Sequence, residues 1–434
     1  MTWRAAEPNT SSRRTPEAQA LFSEAASVLV DDRIHGLMSR RLAAATRSAS
    51  RGMFVAAPGH ALVFGSLREK DKRGFFILAG GGGRGKSGSP AMPHPALLSE
   101  PATDPLPLYR LRDGIVAVDL LAAALAHLDF FTWLAEHPAT VGAICAHFEI
   151  HPRPADVMMT LFTAMGLTTK AGGVFHCTLR AREHLCAGSP WNLAPYYASM
   201  KDRAPTLDML RVLRTGQPAN WGSYDAQAWA QAMEREDFAQ AFTAAMDCRG
   251  VLLGPALARK ADLAGQRAVL DVAGGSGIYA CALVARHAHL RAAVFEKPPV
   301  DRIAREAIAK QGCAERVEVI AGDMFAGAWP AGFDTHLISN VLHDWDEPVV
   351  RELLAKSHAA LAAGGLLIVH DAYINAEKTG PLHVAEYSAL LMNITEGKCY
   401  SLAEMRGYLD GAGFEWVEYQ ATAVSRGYIL ARRV

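Results

Sequence analysis

The stretch Ala268 to Ala280, AVLDVAGGSGIYA, decides the fold. Apolar residues run up to Asp271, three glycines follow (Gly274, Gly275 and Gly277), and a helical pattern begins near Ile278. Glycines let the backbone approach a ligand closely, and a helix N-terminus offers free N–H groups to an anion. The spacing Gly275-x-Gly277-x-x-Ala280 also fits a dinucleotide fingerprint, so the loop alone leaves the kind of nucleotide-type cofactor open. A plain strand-to-helix turn is the weaker reading, because Asp-x-x-Gly-Gly-x-Gly falls where a βαβ unit begins.

Working outward, apolar runs at 267–273, 291–296, 317–322, 333–341 and 364–372 alternate with amphipathic segments. A last pair, 414–422 and 426–433, reads as an antiparallel hairpin about Ser425-Arg426-Gly427. This pattern predicts an α/β fold, a Rossmann-like doubly wound sheet that binds its ligands at the carboxyl ends of the strands. The chemistry-bearing residues fall at those ends. Glu296 closes the second strand about 20 residues beyond the glycines, where a carboxylate can accept both ribose hydroxyls. Asp323 and Met324 close the third and offer an acceptor and an apolar surface to an adenine ring. A capping Asp beside a core residue explains that pair equally well. The fourth strand leads into Leu342-His343-Asp344-Trp345, so His343 faces the same crevice as the glycines and is favoured as a general base.

The chain has 434 residues, half of them hydrophobic, which predicts two or three domains and excludes wholesale disorder. Three compositional parts can be drawn. Residues 1–105 form a leader rich in Gly and Pro with 14 basic and 9 acidic side chains, and a possible helix at Pro16–Thr46. Residues 106–255 are mainly helical, and 256–434 hold the sheet. Lys+Arg and Asp+Glu number 44 each, which argues against a strongly basic nucleic-acid binder. Seven scattered cysteines without a CxxC pair favour reduced thiols in a cytoplasmic protein over a disulfide scaffold or structural zinc. The most apolar window, Ile115–Leu134, is interrupted by Asp119, His127 and Asp129 and reads as a buried helix, not a membrane span.

DVAGGSG, the Glu296 strand end, GDMF at 322–325, LHDW at 342–345 and GAGF at 411–414 together resemble the class I S-adenosylmethionine-dependent O-methyltransferases of the caffeate and hydroxyindole type. Upstream, residues 130–169 look like that family's N-terminal winged-helix dimerisation domain. The resemblance implies S-adenosylmethionine cradled by Asp271, Gly274, Gly275 and Gly277, with Glu296 on its ribose and Asp323 and Met324 at its adenine. It implies His343 as the catalytic base, a small-molecule hydroxyl acceptor and a homodimer. Ser339 stands where many members carry a Lys near the cofactor. Asp371 stands where plant members often have a Glu that orients the histidine, and Cys399 replaces a second such Glu. Ala273 replaces the first glycine of the usual triple-glycine loop, a change expected to be tolerated. No acidic metal cluster accompanies the motifs, so a magnesium-assisted mechanism is not expected. The acceptor wall should come from Trp229–Met233, Phe238–Met246, Leu391 and Met392, with Met246, Met392 and Cys399 as substrate-binding candidates, although core packing is as good a reading for each.

Rival functions fare less well. GGGGRGKS at 80–87 matches a phosphate loop in letters, but Gly88, Ser89 and Pro90 follow where a helix should start. His147 and His151 have no third ligand at a sensible distance. A winged helix could bind DNA, yet Ala155–Gly166, its recognition position, has no Lys or Arg, and Arg153 is the nearest base. An N- or C-methyltransferase of the same fold stays open, whereas an NAD-dependent oxidoreductase leaves GDMF and LHDW without a role.

Overall fold

The computed structural model describes residues 94–219 and 232–434, all within a unit spanning Gly85–Val434. Pro16–Thr46, the patch around Lys86, most of the leader and Trp229–Gln231 lie outside the described residues.

The chain opens with helices α1 (Leu106–Asp113), α2 (Ala117–Ala126), α3 (Phe130–Glu136), α4 (Val141–Phe148) and α5 (Pro152–Ala164). The window Ile115–Leu134 is therefore two helices, bent by 63°, and not one. Asp129 breaks it, with φ +45° in the left-handed region that Asp tolerates better than most side chains. Ile115 is exposed while Leu120 to Leu125 are buried. No single helix among the described residues is long and apolar enough to cross a membrane.

The caps of α4 and α5 are local. Thr140 accepts from Ala143 N (3.3 Å), and His151 accepts from Arg153 N (3.3 Å) just before Pro152 in the first turn. His147 stacks on Trp133 at 4.3 Å, so both histidines of the HFEIH pair have structural work. An antiparallel hairpin follows, β1 (Thr168–Ala171) and β2 (Val174–Cys177), giving the helix–helix–hairpin order expected of a winged helix. Phe130, Phe131 and Phe162 pack with ring centroids 5.1–5.7 Å apart at the centre of this part. Arg153 turns inward and donates to the carbonyls of Met392, Thr395, Gly397 and Gly216, which leaves it unsuited to a phosphate.

After α6 (Leu179–Leu185), α7 (Ala194–Ala198) and α8 (Ala204–Thr215), helix α9 (Glu236–Lys260) runs straight across the boundary expected at 255/256. Its Gly250 and Gly254 share one face, and side chains there would run into Ile278 and Ala282. Bare backbone thus brings α9 against α10 (Ile278–Arg286), the helix behind the glycine loop.

The sheet strands are β3 (Ala268–Val272), β4 (Arg291–Glu296), β5 (Val317–Ala321), β6 (Thr335–Ser339), β7 (Leu366–Asp371), β8 (Phe414–Ala421) and β9 (Gly427–Arg433). Their order is β5-β4-β3-β6-β7-β9-β8, parallel from β5 to β7, with β9 antiparallel to β7 and to β8. The connection reverses direction between β3 and β6, so a crevice opens over their carboxyl ends. Helices α11 (Val300–Lys310), α12 (Glu347–Ala360), α13 (Leu382–Ile394) and α14 (Leu402–Gly411) complete the unit. Lys378 and Lys398 each bridge Asp156 of α5 and Glu404 of α14 at 2.5–2.9 Å, pinning the helical part to the sheet.

Candidate active site

At the end of β3, Asp271 is fully buried. Its Oδ2 accepts from Ala280 N at 3.3 Å, and its Oδ1 has no hydrogen-bond partner among the described residues. Burial, with some repulsion from Glu296, pushes its carboxyl up to about 7. The glycines are required by the space around it. A Cβ at Gly274 would sit 2.6 Å from the Asp271 carboxyl carbon, and one at Gly277 (φ +77°) would meet Val294 at 2.9 Å. Gly275 N–H donates to Glu296 Oε2 (3.1 Å), and Lys297 N–H to Oε1 (2.9 Å), while burial raises the Glu296 carboxyl. Ala273 has φ +52°, so the departure from glycine is strained, at about 1 kcal/mol.

Asp323 and Met324 follow β5. Asp323 Oδ1 accepts from Phe325 N (2.8 Å), the capping role, and the Met324 carbonyl accepts from Trp329 Nε1 (2.8 Å). Both stay partly exposed at the strand end. After β6, Ser339 Oγ meets His370 Nδ1 at 3.1 Å, and His370 Nε2 meets Thr422 Oγ1 at 2.9 Å.

His343 lies in a short 3-10 turn beyond β6 and is buried. Its Nδ1 is 2.5 Å from Asp371 Oδ1, and Asp371 also accepts from Ala372 N (2.7 Å). Its Nε2 is 3.5 Å from Asp344 Oδ1, whose side chain is 44% exposed, so this is the open side of the ring. Burial opposes a charged imidazole, but the facing carboxylate of Asp371 wins and His343 is pushed up to about 10. Asp371 is held below the usual carboxylate range, since its ion pair with His343 outweighs its own burial. Behind the turn, a side chain at Gly397 would strike the His343 carbonyl, so that glycine lets the two segments pack closely.

The chain matches the family model of the O-methyltransferase domain over residues 211–415. It is 31% identical over 336 residues to a 3-hydroxy-5-methyl-1-naphthoate 3-O-methyltransferase of Streptomyces sahachiroi, covering 76% of this chain and 92% of that one. The chain belongs to the O-methyltransferase family. This O-methyltransferase is also 29% identical to the tetracenomycin polyketide synthesis 8-O-methyl transferase of Streptomyces glaucescens, over 70% of this chain and 89% of that one. The crystal structure of an O-methyltransferase family 2 protein from Planctomyces limnophilus, in complex with apigenin, superposes with a TM-score of 0.71 at 36% identity, covering 78% and 98% of the two chains.

The remaining sequence candidates of the O-methyltransferase divide. Met246 is exposed on α9, with its Sδ 3.9 Å from Arg249 Nη1. Met392 is fully buried in the helical core with Leu391, the packing role that the sequence left open. Cys399 is buried with its thiol pushed well up by burial and by nearby Asp371, so it stays neutral, and Ser388 Oγ receives its N–H (3.1 Å). Several neighbours of the site carry no mark in the sequence. Tyr387 of α13 stands edge-on to His343, ring centroids 5.8 Å apart, and Arg249 donates to its hydroxyl at 3.2 Å. Ser276 in the glycine loop donates to Asp247 of α9, and Asn340 (φ +53°) donates to Tyr279 Oη at 2.9 Å. A polar residue in left-handed backbone at a strand end is a functional cue, but φ is invisible in letters.

Proposed function

We propose that this O-methyltransferase is S-adenosylmethionine-dependent, with His343 as general base, and methylates a hydroxyl of a small aromatic or polyketide-type acceptor. The observation that carries the reading is the buried His343–Asp371 pair, in which Nδ1 is taken by Asp371 and Nε2 lies 3.5 Å from the partly exposed Asp344. The orphaned Oδ1 of Asp271 and the bare Gly274–Gly277 turn suit the cofactor, and Glu296, Asp323, Met324 and Ser339 surround the same strand ends. When bound, S-adenosylmethionine supplies a methyl group on a positively charged sulfur. Acceptors named for the relatives, a naphthoate and a tetracenomycin polyketide, support the acceptor class.

The chain's own part is proton handling and alignment. Asp371 holds Nδ1–H, which leaves Nε2 as the acceptor for the hydroxyl proton. A phenol of pKa near 10 and an imidazole raised to about 10 are matched, so the proton moves between them at little cost. His343 would take the proton of the acceptor hydroxyl as that oxygen is aligned on the methyl group the cofactor would supply, and would keep it until product leaves. The helical part before α9 serves as a winged-helix dimerisation domain and the sheet together with α9 as the catalytic domain, since α9 is continuous across 255/256, in a cytoplasmic homodimer.

Titration calorimetry with S-adenosylhomocysteine tests the reading. Binding is expected, and Glu296→Ala should weaken it by roughly tenfold or more. His343→Ala should lose at least about a hundredfold in kcat with the cofactor Kd nearly unchanged. Absence of binding would refute the assignment, and equal loss of both functions would make His343 structural.

A further inference from the structure

We propose that Arg249 and Arg426 form an anion subsite beside His343, and that the acceptor is a hydroxyarene carrying a carboxylate. The inference rests on the function proposed above and names its acceptor class.

Arg426 lies in the turn before β9, where Gly427 pairs with Asp371 at the end of β7, so its side chain starts next to the catalytic strand end. It is 3% exposed. Of its five N–H donors, Nη1 reaches the Val424 carbonyl at 3.1 Å, whereas Nε and Nη2 have no acceptor among the described residues. Asp113 Oδ2 is 3.7 Å from Nη2, near enough to attract but too far to accept a hydrogen bond. The half-buried cations differ. Arg153 is satisfied by four carbonyls, and Lys378 and Lys398 by two carboxylates each. A guanidinium buried with donors unmet is out of keeping with a purely structural part.

Arg249 approaches the same tyrosine, Tyr387. The Arg426 guanidinium lies 4.3 Å over the Tyr387 ring, and that of Arg249 5.4 Å from the same ring while holding its hydroxyl. Tyr387 in turn is edge-on to His343. One aromatic side chain therefore spaces two guanidiniums from the base, and Arg249 is partly exposed beside exposed Met246, which marks the way in. Of the acidic groups nearby, Asp113 lies 3.7 Å from Arg426, Asp344 feels the charge of Arg249, and Asp371 is paired with His343. A planar carboxylate matches the guanidinium fork and takes the unmet donors, while the hydroxyl of the same molecule faces Nε2.

The test compares hydroxynaphthoate with the matched naphthol, binding to the full chain by calorimetry, with S-adenosylhomocysteine present and absent. The carboxylate should bind at least about tenfold tighter, with an affinity that falls as salt rises. Arg426→Gln and, separately, Arg249→Gln should each reduce that ratio severalfold, with folding checked by circular dichroism. Equal affinities in the wild type, or a preference that survives in both folded variants, would overturn the subsite. If Arg426→Gln does not fold, Arg249→Gln and the wild-type ratio decide. Retained S-adenosylhomocysteine binding with no carboxylate preference would sink the subsite alone, whereas loss of that binding would sink the methyltransferase reading beneath it.

Discussion

Asp371 sets what His343 can do. Without a facing carboxylate, burial would take an imidazole below 6.5, and with Asp371 at 2.5 Å it rises instead to about 10. The deprotonated ring is the active base, so kcat/KM should climb with pH through neutrality. In Asp371→Asn the acid limb should move down by more than one pH unit, with a plateau lowered by about tenfold to a hundredfold, because the weaker base accepts the proton less well. A pH–rate profile checks this, and an unmoved limb would mean that another group titrates. His343 and Asp371 were legible as candidates because one follows β6 and the other ends β7, at the carboxyl edge of the sheet. Tyr387, Arg249 and Arg426 were not, since they come from a helix, a second helix and a hairpin turn that only the packing brings together. The strain at Ala273 was equally hidden, because an alanine carries no mark of a positive φ.

At the level of elements, the strands were legible to within a residue or two. The central strands β3, β4, β6 and β7 are buried between helices and read as short continuous apolar runs, whereas β8 at the edge alternates buried and exposed residues. The helical part was read less sharply. An Asp inside the apolar 115–134 window weakly signals a break, and the boundary expected at 255/256 falls inside α9, which Gly250 and Gly254 bind to α10. The α1–α2 segment also carries a feature that its apolarity alone did not reveal. Leu108, Leu111, Ile115 and Val118, three or four residues apart, are all exposed, Leu111 to 77%. Such a stripe fits a partner helix, and a second copy of the chain is the partner expected from the dimer proposal. Leu111→Glu should shift sedimentation velocity from dimer to monomer. A monomeric wild type, or an unaltered dimer in the variant, would count against that face.

Over the whole molecule, three buried histidines bend stability with pH in opposite directions. Burial depresses His336 to about 4 and His370 to about 3. Both ring nitrogens of His370 are already engaged, by Ser339 and Thr422, so protonation would set a donor against a hydroxyl that must reorient. For these two the unfolded chain binds more protons below 6.5. Their contribution is complete above 6.5 and is lost as pH falls toward 4 and 3, at up to about 1.4 kcal/mol per pH unit for each group. His343 works the other way. Its folded pKa is raised, so its contribution is complete below 6.5 and is lost as pH rises through about 10. Glu404, depressed to about 2 by Lys398 and Lys378 despite its burial, reinforces the acid loss below about 4.5. Asp271, raised to about 7, and Glu296, raised by burial, act in the same sense as His343, since each keeps a proton in the fold that the unfolded chain has lost, and they offset part of the acid loss. The cofactor-free protein should therefore lose stability as pH rises from 6.5 to 10, while the buried histidine His370 is isolated by comparing the wild type with His370→Gln. Urea titrations from pH 4 to 10 measure this. The variant's midpoint should fall less than the wild type's between pH 6.5 and 4.5, and equal slopes would mean that His370 carries a proton in the fold and that the neutral Ser339–His370–Thr422 chain is wrongly assigned.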